Sequence, residues 1–209
     1  MKVPSLVLAL FYCLSAAAAE EFTVGPWLLG MSREDVQSFA EYGPYELVAV
    51  TEGHETHNAF LDGTKKNVSF VFDDAGLSYI QVWEYEGPDY ESAKEAVLGV
   101  FDLFTQYGGA EIPGVSVSGQ AGLDRQAMEL VLDRILGTAQ ELGRKTAQEQ
   151  NAAMILFFDM KPSQQPVRSH LHSQWGYHAK FDTFYVMLYQ DRHDARQRKV
   201  PSNVRLEAL

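Results

Sequence analysis

The chain of 209 residues contains one cysteine, Cys13, and that residue falls inside an N-terminal stretch with the character of a leader. The remainder therefore offers no thiol nucleophile, no thiolate metal ligand and no disulfide. Nor is Cys13 a lipid attachment point, because Leu10-Phe11-Tyr12 precede it where a lipoprotein site needs a small residue. Membrane-spanning length is also lacking, since the longest apolar run after the leader is Ala152 to Phe158 and a span needs about 20 residues. No Gly-x-Ser-x-Gly elbow, Ser-x-x-Lys pair or His-Glu-x-x-His helix occurs, and neither a phosphate-cradling loop nor a dinucleotide fingerprint is present. These absences give no support to the common nucleophilic, zinc-protease and nucleotide chemistries, and no enzyme activity and no cofactor is expected. Basic charge is scarce where it would matter most. From Glu20 to Asp124 there are 19 acidic and 4 basic residues, whereas Arg125 to Leu209 holds 9 acidic and 12 basic. Nucleic acid is thereby a poor partner for the first half, because phosphate binding needs clustered Lys and Arg. The polarity favours a basic protein as partner, with simple solubility of an acidic surface as the alternative.

What is present begins with residues 1–19. Lys2 supplies a positive start, Leu6 to Leu14 an apolar core, and Ser15-Ala16-Ala17-Ala18-Ala19 the small residues of a cleavage site before Glu20. That order is the mark of a secretory signal peptide. The expected destination is the periplasm, because an exported domain without disulfides suits a bacterial envelope better than a eukaryotic secretory route.

Periodicity then divides residues 20–190 into one α+β domain, with a boundary near 110–122 if two lobes exist, followed by a basic, mobile tail over 191–209. Ser32 with Asp35 three residues later forms a capping box that opens a helix ended by Tyr42-Gly43-Pro44. Strands are expected over Tyr45–Thr51, Asn67–Asp73 and Leu77–Glu86, with a turn over Gly53–Asn58 and a short strand at Ala59–Leu61. Asp73-Asp74-Ala75-Gly76 marks a hairpin. A helix from Pro88-Asp89 to about Tyr107 carries Ala93, Val97, Val100, Phe101 and Phe104 on one stripe. A glycine-rich loop over 110–122 leads to a second helix, Leu123 to Gln150, with the stripe Met128, Val131, Leu132, Ile135, Ala139 and Leu142. Three strands follow: Ala153–Lys161, Val167–Tyr177 and Phe181–Gln190. The pattern predicts antiparallel sheet packed against two long amphipathic helices.

Two constellations carry chemistry. Alternation on a strand places Leu77, Tyr79, Trp83 and Tyr85 on one face of Leu77–Glu86, flanked by Glu84, Glu86 and Asp89. Tyr and Trp beside carboxylates suit recognition of a basic protein, and a core face covered by a helix is the competing assignment. His170 and His172 point the same way on Val167–His178, about 7 Å apart, a spacing that suits a metal if a neighbouring strand supplies further ligands; a solvated polar face is the simpler reading. His54-Glu55-Thr56-His57 is expected to be an exposed loop.

Gly30-Met31-Ser32-x-x-Asp35-Val36, then Gly43-Pro44 and a strand hairpin, resembles the opening of small outer-membrane-assembly lipoproteins, whose fold is similar to that of the β-lactamase-inhibitor proteins. The leader, size, acidity and lack of catalytic motifs also resemble periplasmic immunity and inhibitor proteins. What the resemblance implies is a periplasmic, non-enzymatic protein that binds and occludes a secreted antibacterial effector or hydrolase. An envelope assembly factor, or a metal-binding protein or enzyme using His170 and His172, are the alternatives.

Overall fold

The structure is a computed structural model and describes residues 23–51, 54–61, 63–112, 123–150, 153–165 and 168–192. The expected signal peptide and cleavage site, most of the glycine-rich loop and the expected tail beyond Arg192 lie outside the described residues. The architecture is mixed α+β and mostly sheet. Eight strands form one antiparallel sheet in the order β1-β2-β3-β4-β8-β7-β6-β5. They are β1 (Glu46–Thr51), β2 (His54–Leu61), β3 (Thr64–Asp73), β4 (Gly76–Gly87), β5 (Ala110–Glu111), β6 (Ile155–Pro162), β7 (Ser169–His178) and β8 (Thr183–Arg192). Three α-helices accompany them among the described residues: α1 (Arg33–Gln37), α2 (Tyr90–Thr105) and α3 (Arg125–Gln150). Strands from both sides of the glycine-rich loop share the sheet, because β8 pairs with β4 on one side and β7 on the other.

All three helices lie over the same face. α2 crosses β4 and β8 and α3 crosses β6 and β7, while buried Val36 of α1 lines one hollow with Glu55 and His57 of β2 and Phe70 and Phe72 of β3. Helical spacing turns Ala93, Val97, Leu98, Val100, Phe101 and Phe104 of α2 inward, where they meet Leu77, Ile80, Val82, Phe184, Val186 and Leu188 of the sheet. From α3, Met128, Leu132, Leu136 and Ala139 are buried, while Leu142 is exposed. The expected stripe thus ends differently: Gly143 takes the inward position, and a Cβ there would lie 3.0 Å from the Tyr177 ring. Side-chain clamps finish the docking. The Tyr90 hydroxyl and Lys94 ammonium both donate to Asp133 of α3, at 2.8 and 2.7 Å. Asp182 accepts from Tyr177, at 2.7 Å, and from Arg144 of α3.

Local chemistry explains most boundaries. The Ser32–Asp35 capping box is formed in both directions, yet α1 runs only to Gln37, and a 3-10 turn at Ala40–Tyr42 precedes Gly43. Asp89 caps α2 by accepting from the Ser92 amide at 2.8 Å. The β3–β4 hairpin turns at Asp73–Gly76 as its sequence dictates, with Gly76 at φ +93° and no room for a side chain against the Gly30 carbonyl.

Two expectations are corrected. Residues 54–58 are not a turn but the first part of β2, so the strand is one element from His54 to Leu61. Alternation then sends Glu55 and His57 to the helix side and His54 and Thr56 to the other. Asp191 and Arg192, expected in the tail, complete β8.

Candidate functional site: the open face of the sheet

The face turned away from the helices carries no helix among the described residues, and its chemistry differs from that of the core. Register fixes which side chains lie in line across it. One row runs His170, Asp191, Tyr79, Val71 and His54. The next runs His172, Tyr189, Gln81, Ser69 and Thr56. A third holds Asp159, Gln174, Met187 and Trp83, and a fourth Phe157, Gly176, Tyr185 and Glu86. Within these rows there are three carboxylates and neither lysine nor arginine.

The tyrosines organise the surface. The Tyr79 hydroxyl donates to Gln81 Oε1 at 3.0 Å, and Gln81 Nε2 reaches the Met187 sulfur at 3.2 Å. Tyr189 donates to Gln174 Oε1 at 2.7 Å and contacts the same sulfur at 3.3 Å. His172 stacks on Tyr189, with ring centroids 4.6 Å apart and planes 13° from parallel, and Tyr79 lies between Tyr189 and His54 at 5.9 and 5.3 Å. Rings held from both sides lose little further freedom on binding, which suits a recognition surface. Burial pushes the Tyr79, Tyr185 and Tyr189 hydroxyls well above the ordinary value, and the neighbouring Asp191 or Asp159 carboxylate adds to the effect. All three remain neutral donors at neutral pH.

Gly176 permits a close approach of β6. By alternation its missing side chain belongs to this face, and a Cβ there would fall 1.9 Å from the Leu156 carbonyl oxygen and 2.7 Å from the Phe157 Cα. The β6 backbone thus leans over the open face at this point. It brings Ile155 and Phe157, about half exposed at 52% and 53%, to the rim of the tyrosine rows.

The expected residues are only partly gathered here. Tyr79 and Trp83 belong to the open face, Tyr79 buried and Trp83 half-buried. Two bulges in β4 break the expected common face. Leu77 turns into the core. Tyr85, opposite Val186, packs against the core and accepts the Asp89 amide through its hydroxyl at 2.9 Å. Glu84 pairs with Lys66, Asp89 serves α2 as a cap, and Glu86 stands beside Tyr185 at the rim. The structure thus separates Tyr85, Glu84 and Asp89 from Tyr79, Trp83 and Glu86. His170 and His172 do share the open face. No group of three His, Cys, Asp or Glu side chains is placed to hold a metal among the described residues, and His172 is engaged in its stack on Tyr189. Gln81, Gln174, Met187 and Tyr189 escape a reading of the sequence, since their rows exist only through pairing of β4, β7 and β8. Alternation of polar and aromatic residues on β8 was the available signal.

At the far end of the other face, Arg33 binds Glu55 through both guanidinium edges, one at 3.1 Å from Nε, and covers the Phe72 ring at 4.7 Å. His57, nearly buried, stands 3.6 Å from Glu55. The Arg33 guanidinium holds the Glu55 carboxyl below its ordinary range. This cluster fastens α1 to β2.

Comparison of the chain with protein families, with curated proteins and with solved structures finds no match in any of the three.

Proposed function

We propose that this is an exported, non-enzymatic binding protein of the bacterial periplasm that occludes another protein with the open face of its sheet. The observation that carries the reading is the row structure of that face. Tyr79, Gln81 and Tyr189 are buried in mutual hydrogen bonds around Met187, with half-buried Trp83, exposed Phe157 and the exposed carboxylates of Glu86 and Asp159 at the margin. Pre-ordered aromatic anchors beside a methionine are what protein recognition surfaces favour. The partner of fitting chemistry presents a basic, apolar-studded surface, for which Glu86 and Asp159 supply complementary charge. An inhibitor or immunity protein acting on a secreted effector or hydrolase fits this description. No specific feature favours the metal reading over it.

The test is a pull-down from envelope and secreted fractions with wild-type, Trp83→Ala and Glu86→Lys proteins. One enzyme retained by the wild type, inhibited by it, and lost with Trp83→Ala is the expected outcome. Retention of the same protein by both variants would remove the open face from consideration. Recovery of abundant outer-membrane proteins without inhibition would favour the assembly factor instead.

A further inference from the structure

Among the described residues the sheet ends at β1, and this edge has properties that the open face does not share. Every residue from Glu46 to Val50 is exposed, with Leu47, Val48 and Val50 at 57%, 51% and 62%. Glu46 is the one charged residue of the strand, and neither lysine nor proline protects it. The β1–β2 register has Leu47 opposite His57, Ala49 opposite Thr56 and Val50 opposite Glu55, with Val48 the extra residue of a bulge. Val48 and Ala49 therefore both stand opposite Thr56. Leu47 and Val50 fall on the helix side of the sheet, and Val48 and Ala49 on the open side. Read along the strand, the four positions are helix side, open, open, helix side.

That sequence of faces is the same in both directions. A bulge ordinarily blunts an edge, because a regular strand laid against it loses alternation and places apolar side chains on the wrong face. A strand with the same irregularity, running the opposite way, keeps every face in agreement. We infer that β1 is the dimerisation edge of this protein, and that its occupant is β1 of a second copy of the chain, related by a two-fold axis between Val48 and Ala49. Leu47 then faces Val50 of the partner copy on the helix side, twice by symmetry. Val48 faces Ala49 on the open side, and Glu46 falls opposite position 51, so no like charges oppose each other within the strand pair. The result is one continuous sheet of sixteen strands whose new seam lies apart from Tyr79, Tyr185 and Tyr189 on β4 and β8.

The experiment is sedimentation of the protein over a wide concentration range, alongside Val48→Lys and Ala49→Pro. The wild type is expected to sediment at twice the mass of one chain, and both variants, with unchanged circular dichroism, at the mass of one. A wild type that stays monomeric at the highest attainable concentration overturns the inference, as does a dimer that survives both substitutions. Amide exchange tests the wild type without any variant: exchange at residues 47–50 slows as concentration rises, and an unchanged rate would be decisive against it. Register is read by cysteine cross-linking in a Cys13→Ser background. Leu47→Cys mixed with Val50→Cys is expected to form a disulfide that Leu47→Cys alone does not; the reverse result rules out the two-fold register.

Discussion

At the scale of single residues, Gly176 sets how closely the β6 backbone approaches β7. Gly176→Ala drives a methyl into the β6 backbone, a clash with no flexible side chain to yield. A loss of about 3 kcal/mol is expected in urea unfolding. Titratable groups give predictions with definite sign. Hydrogen bonds from Tyr177 and Arg144 hold the Asp182 carboxyl below its ordinary 3.8, and those from Lys94 and Tyr90 do the same for Asp133. A depressed folded-state value means stabilisation that is present above the unfolded value and is lost as pH falls through the folded one. Burial depresses His178 below 6.5, so its protonation also favours the unfolded chain. Thermal midpoints are therefore expected to fall as pH drops from 7, first through His178 and then below about 4 through the aspartates. His178→Gln flattens the upper part of this decline and Asp182→Asn the lower. The buried tyrosines act in the opposite range. Their raised values mean stability held below the ordinary tyrosine value of 10.0 and lost as pH rises beyond it. Phenolate absorbance should show Tyr79, Tyr185 and Tyr189 ionising only together with unfolding.

At the scale of elements, α2 combines a designed start with a deep face. Asp89→Ala removes the cap from the Ser92 amide and lowers the thermal midpoint. Phe101→Ala empties a fully buried position and is expected to cost about 3–5 kcal/mol. Both α2 and the β3–β4 hairpin were legible in the chain because their signals are local: a cap, a 3.6-residue stripe, and Asp-Asp-Ala-Gly between alternating aromatics. β2 was not, because His54, Thr56 and Asn58 give its outward face the composition of a loop while Ala59 and Leu61 alone betray the inward one. The fate of Tyr85 was also hidden. A bulge opposite β8 reverses its direction, and nothing within β4 announces a partner about a hundred residues away. For the same reason two of the proposed aromatic contacts, Tyr79 and Trp83, were legible as a pair on one face, whereas the glutamines and Tyr189 that complete their rows were not.

At the scale of the whole molecule, the proposed binding depends on charge. Raised salt and Glu86→Lys should both slow association with a basic partner while leaving dissociation nearly unchanged, in stopped-flow or surface-binding measurements; equal association rates in all conditions would argue against electrostatic steering. The position of β8 has a different consequence, one of timing. The last described strand sits in the middle of the sheet, between β4 and β7. A chain that emerges from its N-terminus delivers β1 to β4 and then α2 and α3 before the strand that joins the two halves exists. Until residues 183–192 emerge, β4 and β7 each present a bare edge of the kind that aggregates. The emerging chain must therefore wait unfinished, and its completion depends on contacts of very long sequence separation, which make folding slow. A chain stopped before Thr183 would have no partial fold to fall back on, only two half-sheets without the strand that makes them one.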